Sequence, residues 1–153
     1  MTGMGTRRRA REFALQILYQ LDVQEQLSDG QAIALFWNNF QSAVEPTSSS
    51  ATAADLGEAQ PFAEHLVRGV RSHLGEIDSQ LQSASRNWRL ERMARVDRNL
   101  LRLALYELKY ADDVPAKVAI NEAIEIAKRF GTAESSAFVN GILDRCREEL
   151  GKK

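Results

Sequence analysis

Four arginines crowd the start of the chain. Arg7, Arg8, Arg9 and Arg11 fall within TRRRARE, and Glu12 is the first acid after them. Ala10, Phe13, Ala14, Ile17, Leu18 and Leu21 recur at helical spacing, so the pattern predicts one helix with Thr6 as its N-cap. On that reading the arginines occupy the first two turns. A helix N-terminus carries partial positive charge, so each cation there costs about 0.3–1 kcal/mol at low salt, and the four also repel one another. A docked anion would gain from guanidinium hydrogen bonds and from the unpaired backbone N–H groups together. A phosphodiester backbone is the natural anion, and the pattern is that of an arginine-rich RNA-binding segment. The competing reading is a solvated charged start, relieved in part by Glu12.

The remaining reactive residue types do not assemble into a catalytic pattern. His65 and His73 are too far apart for the i, i+4 pair of a helical metal site, and His73 falls on an apolar arc, as a core histidine would. Cys146 is expected to be a small buried hydrophobe rather than a nucleophile. Asp112 and Asp113 read as a solvated turn. The chain has no GxGxxG, Walker A or GxSxG motif. No metal, cofactor or enzymatic activity is therefore expected. Leu15 and Tyr19 lie i, i+4 apart on the flank of the first helix. Either another helix covers them or they form a protein-docking stripe with Tyr19 as its anchor. Arg86, Arg89, Arg92, Arg95, Arg98 and Arg102 surround a connector and are diluted by Glu91 and Asp97; they read as a solvated rim with capping duties. Gly141, inside a helix, is expected to permit close packing against a neighbour.

Positioning these groups is the work of helices. A second helix is predicted from Ser28 or Asp29, burying Ile33, Phe36, Trp37, Phe40 and Val44. Residues 45–60 read as a flexible loop of small polar residues. Pro61 opens a third helix lined by Phe62, Leu66, Val70 and His73. Gly75 interrupts it, and Ile77 and Leu81 continue on a fourth. Residues 85–95 form a connector with a short helical turn. Asp97 caps or opens a fifth helix running to Tyr110, which is apolar around most of its circumference and so belongs in the middle of a bundle. Pro115 starts a sixth, with Ala119, Ile120, Ala123, Ile124, Ile126, Ala127 and Phe130 on its buried arc. Gly131 ends it and Thr132 caps a seventh, which turns Phe138, Ile142, Cys146 and Leu150 inward. No segment alternates with period two, so the fold class is all-α, with about seven helices in one domain.

Composition sets the outer bounds. The chain has 153 residues, 44% of them hydrophobic and 27% charged, enough for a core without disulfides. A single cysteine and the lack of an apolar signal segment or membrane span point to a cytoplasmic protein with no membrane partner. The formal net charge of −1 hides segregation. Residues 12–64 hold eight acids and no Lys or Arg, whereas residues 65–102 hold eight arginines and four acids. A basic patch can survive inside such a chain.

Three segments carry a resemblance: RRRAREFALQILYQLD, RVDRNLLRLALYELKY and VPAKVAINEAIEIAKRFGTAESSAFVNGILD. They resemble the transcription antitermination factor NusB family, in the family's order, over the first helix and nearly everything from Phe62 onward. The stretch from about Gln24 to Gln60 departs from the family pattern. The resemblance implies a seven-helix fold in two halves and binding of boxA single-stranded RNA in ribosomal RNA transcripts. It implies a complex with ribosomal protein NusE on RNA polymerase, alongside NusA and NusG. Carried over residue by residue, the family's RNA contacts fall on Arg7, Arg8, Arg9, Arg11, Glu134 and Phe138. Phe138 could stack on a base or simply pack in the core. The NusE-facing positions are Tyr19 and Asp97, with Leu15 beside Tyr19; Asp97 has helix capping as a competing role. RNA would then lie along the arginine end of the first helix and the tip of the seventh. Four arginine–phosphate contacts to a single strand predict a slope of log K against log salt of about −2.8. A helical protein-interaction module without RNA contact is the alternative. A ribosomal RNA methyltransferase headed by such a domain is disfavoured, because 153 residues leave no room for a cofactor-binding domain.

Overall fold

The computed structural model describes residues 3–43 and 53–152. Seven α-helices are found there: α1 (Gly3–Val23), α2 (Asp29–Ala43), α3 (Ala53–Ser72), α4 (Leu74–Ser85), α5 (Arg95–Tyr110), α6 (Ala116–Phe130) and α7 (Ser135–Glu149). A short 3-10 turn, Leu90–Arg92, lies between α4 and α5. No strand occurs among the described residues, so the fold is all-α as the periodicity predicts. The chain divides into two compact units, Met1–Arg68 and Gly69–Lys153.

In the first unit, the predicted face of α1 is buried, from Ala10 and Phe13 to Leu18 and Leu21. The α2 helix begins where Ser28 provides a capping box. Its Oγ accepts from the Gln31 N–H at 3.1 Å, and Gln31 Oε1 accepts from the Ser28 N–H at 2.9 Å. Phe13 of α1 then meets Phe36, Trp37 and Phe40 of α2 at centroid distances of 5.7, 5.2 and 5.1 Å, two of the three edge-on. Tilted and edge-on ring pairs of this kind add about 0.5–1.5 kcal/mol each beyond the area they bury.

Two boundaries differ from the sequence expectation here. Helix α1 starts at Gly3, so Thr6 is an interior residue and not its cap. Helix α3 starts at Ala53, eight residues before Pro61. Alanine-rich sequence favours the helix strongly enough to carry it through the proline. Pro61 is exposed, and the cost of including it is the lost N–H donor toward the Gly57 carbonyl. The predicted loop thus overlaps a helix from Ala53 to Gln60; its earlier part, and Val44, lie outside the described residues.

In the second unit, α5 packs against α4, α6 and α7. Leu100, Leu101, Leu103, Leu105 and Leu108 are each at most 1% exposed, which accounts for its apolar circumference. Each such leucine contributes roughly 1.5–3 kcal/mol of transfer free energy. Arg102 grips Asp78 of α4 through Nε (2.8 Å) and Nη2 (2.9 Å) and reaches Asn99 with Nη1 at 3.0 Å. The break between α3 and α4 falls at His73, not at Gly75. His73 is half-buried rather than a core residue; Nδ1 donates to the Gly69 carbonyl at 3.0 Å, and the ring lies 4.1 Å from that of Tyr110.

Two glycines are required by close approach. A Cβ at Gly69 would lie 2.3 Å from the Tyr106 ring. One at Gly131 would lie 2.4 Å from Ser135 Oγ and 2.9 Å from the Ala127 carbonyl oxygen. Gly131 ends α6 in extended backbone (φ −97°), so what excludes a side chain is Ser135 and not a left-handed cap. Thr132 is not the N-cap of α7, a position Glu134 holds; the Thr132 N–H instead donates to Ser135 Oγ at 2.9 Å. Gly141 also departs from expectation: it is exposed, and a Cβ there would touch nothing within 4 Å.

Candidate nucleic-acid interface

Each unit presents its own set of candidate residues. In the first, Arg7, Arg8 and Arg9 are the fifth to seventh residues of α1, since the helix begins at Gly3. They therefore stand in the second turn, where the macrodipole penalty has largely decayed. Mutual repulsion remains as the unfavourable term. Arg7 is exposed, with its guanidinium 4.8 Å from the centroid of Phe62 on α3. Thr6, Arg7, Glu58 and Phe62 line a cleft of about 220 Å³. Arg8 and Arg9 are half-buried. The Arg9 guanidinium sits 5.7 Å over Phe13, and its buried Nε has no hydrogen-bond partner among the described residues.

Arg11 departs from this group. It is 4% exposed, with its guanidinium 5.8 Å from Phe62, so it is part of the protein's interior and not a surface contact. The reason is angular: Arg11 follows Ala10 on a helix whose buried face is wider than the stripe read from the sequence. Leu15, four residues on, is 2% exposed for the same reason and cannot anchor a partner. Tyr19, one turn further, is 40% exposed and remains available. Phe62 is the residue that sequence reasoning placed in the core and that the structure places between two guanidiniums. Only the pairing of α1 with α3 reveals that, because more than fifty residues separate the partners in sequence.

In the second unit, Glu134 is exposed at the start of α7, where its carboxylate accepts from Thr132 Oγ1 at 3.2 Å. Phe138, one turn on, is half-buried and meets Trp88 edge to face at 5.7 Å and 89°. Asp97 is half-buried in the first turn of α5, where its charge suits the helix dipole. It does not cap: the N-cap is Ala94, with no side-chain bond to the helix N-terminus. Asp97 Oδ1 is buried without a hydrogen-bond partner, a state that costs about 1–3 kcal/mol until something donates to it.

The six arginines of the connector region separate into two kinds. Arg86, Arg89, Arg92 and Arg95 are exposed. Arg98 is 8% exposed and donates to the Leu90 carbonyl at 3.1 Å, and Arg102 holds Asp78, so these two are internal struts and not rim. Cys146 is fully buried, and burial, helped by Glu149, pushes its thiol up to about 12. Among the described residues no group of three His, Cys, Asp or Glu is placed to hold a metal, and no helix is long and apolar enough to cross a membrane.

Comparison with known proteins follows the same outline. The NusB family model matches residues 8–148. The transcription antitermination protein NusB of Myxococcus xanthus is 49% identical over 149 residues, 97% of this chain and 99% of that protein. The NusB of Geobacter sulfurreducens is 45% identical over 150 residues, covering 98% and 99%. Among solved structures, T. maritima NusB superposes with a TM-score of 0.76 at 37% identity, covering 94% of this chain and 91% of that one. A crystal structure of the antitermination factors NusB and NusE in complex with dsRNA shares the fold, with a TM-score of 0.77 at 23% identity over 95% and 98% of the two chains.

Proposed function

The chain belongs to the NusB family of transcription antitermination proteins, and on that premise we propose that it is a non-enzymatic adaptor for boxA-type single-stranded RNA. In this reading it binds the RNA together with ribosomal protein NusE. The complex supports processive elongation by RNA polymerase with NusA and NusG. The observation that carries the RNA part is the accessible guanidinium set of α1, with Arg7 exposed against the Phe62 ring, Arg8 half-buried, and Arg9 half-buried over Phe13. Guanidiniums take phosphate oxygens bidentately, and the Phe62 ring against Arg7 helps to fix that guanidinium in place. Arg11 supports that surface from beneath. Glu134 and Phe138 contribute a second set of contacts, the carboxylate accepting from base N–H groups and the ring packing on a base edge. Tyr19 and Asp97 are the contacts with NusE. The orphaned Oδ1 of Asp97 supports this, because a cationic or N–H donor from a partner would satisfy it. Joining two moderate affinities on one scaffold raises retention through effective concentration.

The deciding experiment is a titration of boxA-like single-stranded, scrambled and double-stranded RNA, each with and without NusE, over a range of salt. With Arg11 buried, three arginine–phosphate contacts give the α1 set a slope of about −2.1 rather than −2.8. Single-stranded boxA-like RNA is expected to bind tightest, and more tightly with NusE. A slope near zero with every RNA assigns the protein to a helical interaction module without RNA contact. Asp97→Lys is expected to weaken NusE binding at least tenfold while thermal unfolding stays cooperative. Unchanged NusE affinity removes Asp97 from the interface.

A further inference from the structure

The connector between α4 and α5 displays an indole that holds nothing together by itself. Trp88 is 60% exposed, whereas Trp37, the other tryptophan, is 9% exposed. The edge-on contact with Phe138 uses little of the ring and leaves the rest open. The backbone beneath it is fixed. The Trp88 carbonyl accepts from Gln82 Nε2 at 2.9 Å and Ser85 Oγ at 3.0 Å, and its N–H donates to the Ser85 carbonyl at 2.9 Å. Two residues on, the Leu90 N–H donates to Gln82 Oε1 at 2.9 Å, and the Leu90 carbonyl accepts from Arg98. An exposed aromatic on an anchored loop loses little freedom when something stacks on it.

The surroundings say what that something is. Arg86, Arg89, Arg92 and Arg95 are all exposed within the same ten residues, with Glu91 the only acid. Arg89 Nε lies 3.6 Å from Glu91 with both side chains 71% exposed, a pair worth little in water. Arg98 and Arg102 are committed to the Leu90 carbonyl and to Asp78, whereas the four outer arginines are exposed, Arg86 at a cleft it shares with Arg145, Glu148 and Glu149. A protein-docking tryptophan sits amid other apolar anchors. In the second unit the only other large exposed hydrophobic side chain among the described residues is Val118. An exposed tryptophan edge-on to a second ring, in a connector with four exposed arginines, has the composition of a single-stranded nucleic-acid platform.

We propose that Trp88 stacks on a base of single-stranded RNA while Arg86, Arg89 and Arg92 hold the flanking phosphates, as a contact additional to the α1 arginines. This rests on the RNA-binding reading above. The test uses fluorescence anisotropy of a labelled boxA-like RNA of roughly twelve nucleotides, titrated with wild type, Trp88→Ala, Trp88→Phe and the triple Arg86→Ala/Arg89→Ala/Arg92→Ala variant. Stacking predicts that Trp88→Ala loses about 5- to 100-fold in affinity with the salt slope unchanged, and that Trp88→Phe recovers most of it. The triple variant should flatten the slope by about 2. Wild-type affinity in Trp88→Ala, with RNA still bound, overturns this inference and leaves the α1 reading intact; no RNA binding by the wild type sinks both. A loss that Trp88→Phe does not rescue, or a loss of affinity for NusE instead of RNA, overturns the platform as well.

Discussion

The two arginine-rich regions use one residue type in opposite ways. Around α5, Arg98 and Arg102 are committed inward, one to a loop carbonyl and one to Asp78. On α1, three of four guanidiniums reach the surface, and Arg11 alone is inside. Both regions mix struts with surface groups, and what sorts them is position on the helix. Arg98 precedes Leu101 by three residues and Arg11 precedes Leu15 by four, so each shares a turn of buried face with a core leucine. Counting cations therefore measures local charge, whereas burial decides which of them a ligand can use.

The sharpest way to break that distinction is at Arg98. Arg98→Ala removes one of the two donors to the Leu90 carbonyl, leaving the Met93 N–H at 3.2 Å, and empties a buried site, so a loss of about 1–3 kcal/mol is expected in urea unfolding. Arg92→Ala, at the exposed last residue of the 3-10 turn, should stay within about 0.5 kcal/mol of wild type. Equal effects would mean that burial does not separate the two kinds. Gly131→Ala tests the other rigid feature of the second unit. Its Cβ meets Ser135 and a backbone oxygen that cannot move away, so about 1–3 kcal/mol should be lost. Gly141→Ala meets nothing and replaces an exposed helical glycine, so it should stabilise by about 0.5–1 kcal/mol.

Much of this was legible in the sequence because helical periodicity is a local signal. The seven helices, the buried faces of α1, α5 and α6, and the turn at Leu90 all follow from spacing. What spacing could not supply was long-range. Phe62 under Arg7, and Ser135 crowding Gly131, depend on which side chain another segment brings close. Leu15 and Arg11 failed for a related reason: a buried stripe has a width, and its flanks are set by the helices packed on them. The α3 start was missed because Pro61 looked like a beginning, when exposed position lets a helix absorb it. Trp88 gave no signal, since an isolated tryptophan in a connector reads as core until its exposure is known.

On α1 the comparison predicts binding effects without stability effects. Arg7→Ala/Arg8→Ala should flatten the salt slope of RNA binding by about 1.4, from two lost phosphate contacts. Its urea midpoint should barely move, because neither side chain is buried. Arg11→Ala should show the reverse, a stability loss with a nearly unchanged slope. A slope change in Arg11→Ala equal to that of the double variant would restore it to the RNA surface.

The smallest effect isolates the second unit. Cys146 is fully buried, and its thiol is raised to about 12, first by burial and then by Glu149. An unfolded thiol ionises near 8.5, so between these values the unfolded state loses a proton that the native state keeps. Stability from this group is complete below pH 8.5 and declines as pH rises toward 12, by at most about 1.4 kcal/mol per pH unit. Comparing wild type with Cys146→Ala cancels the other titrating groups. Their difference in unfolding free energy should shift by about 1 kcal/mol between pH 8 and pH 9.5, against wild type. Native protein at pH 9.5 should also show no thiolate absorbance near 240 nm. Absorbance appearing there in a Trp88→Phe background, where Trp37 is the one emitter and its emission stays native, would mean that α7 opens while the first unit stays folded, and that the struts around α5 do not hold the helix packed against them.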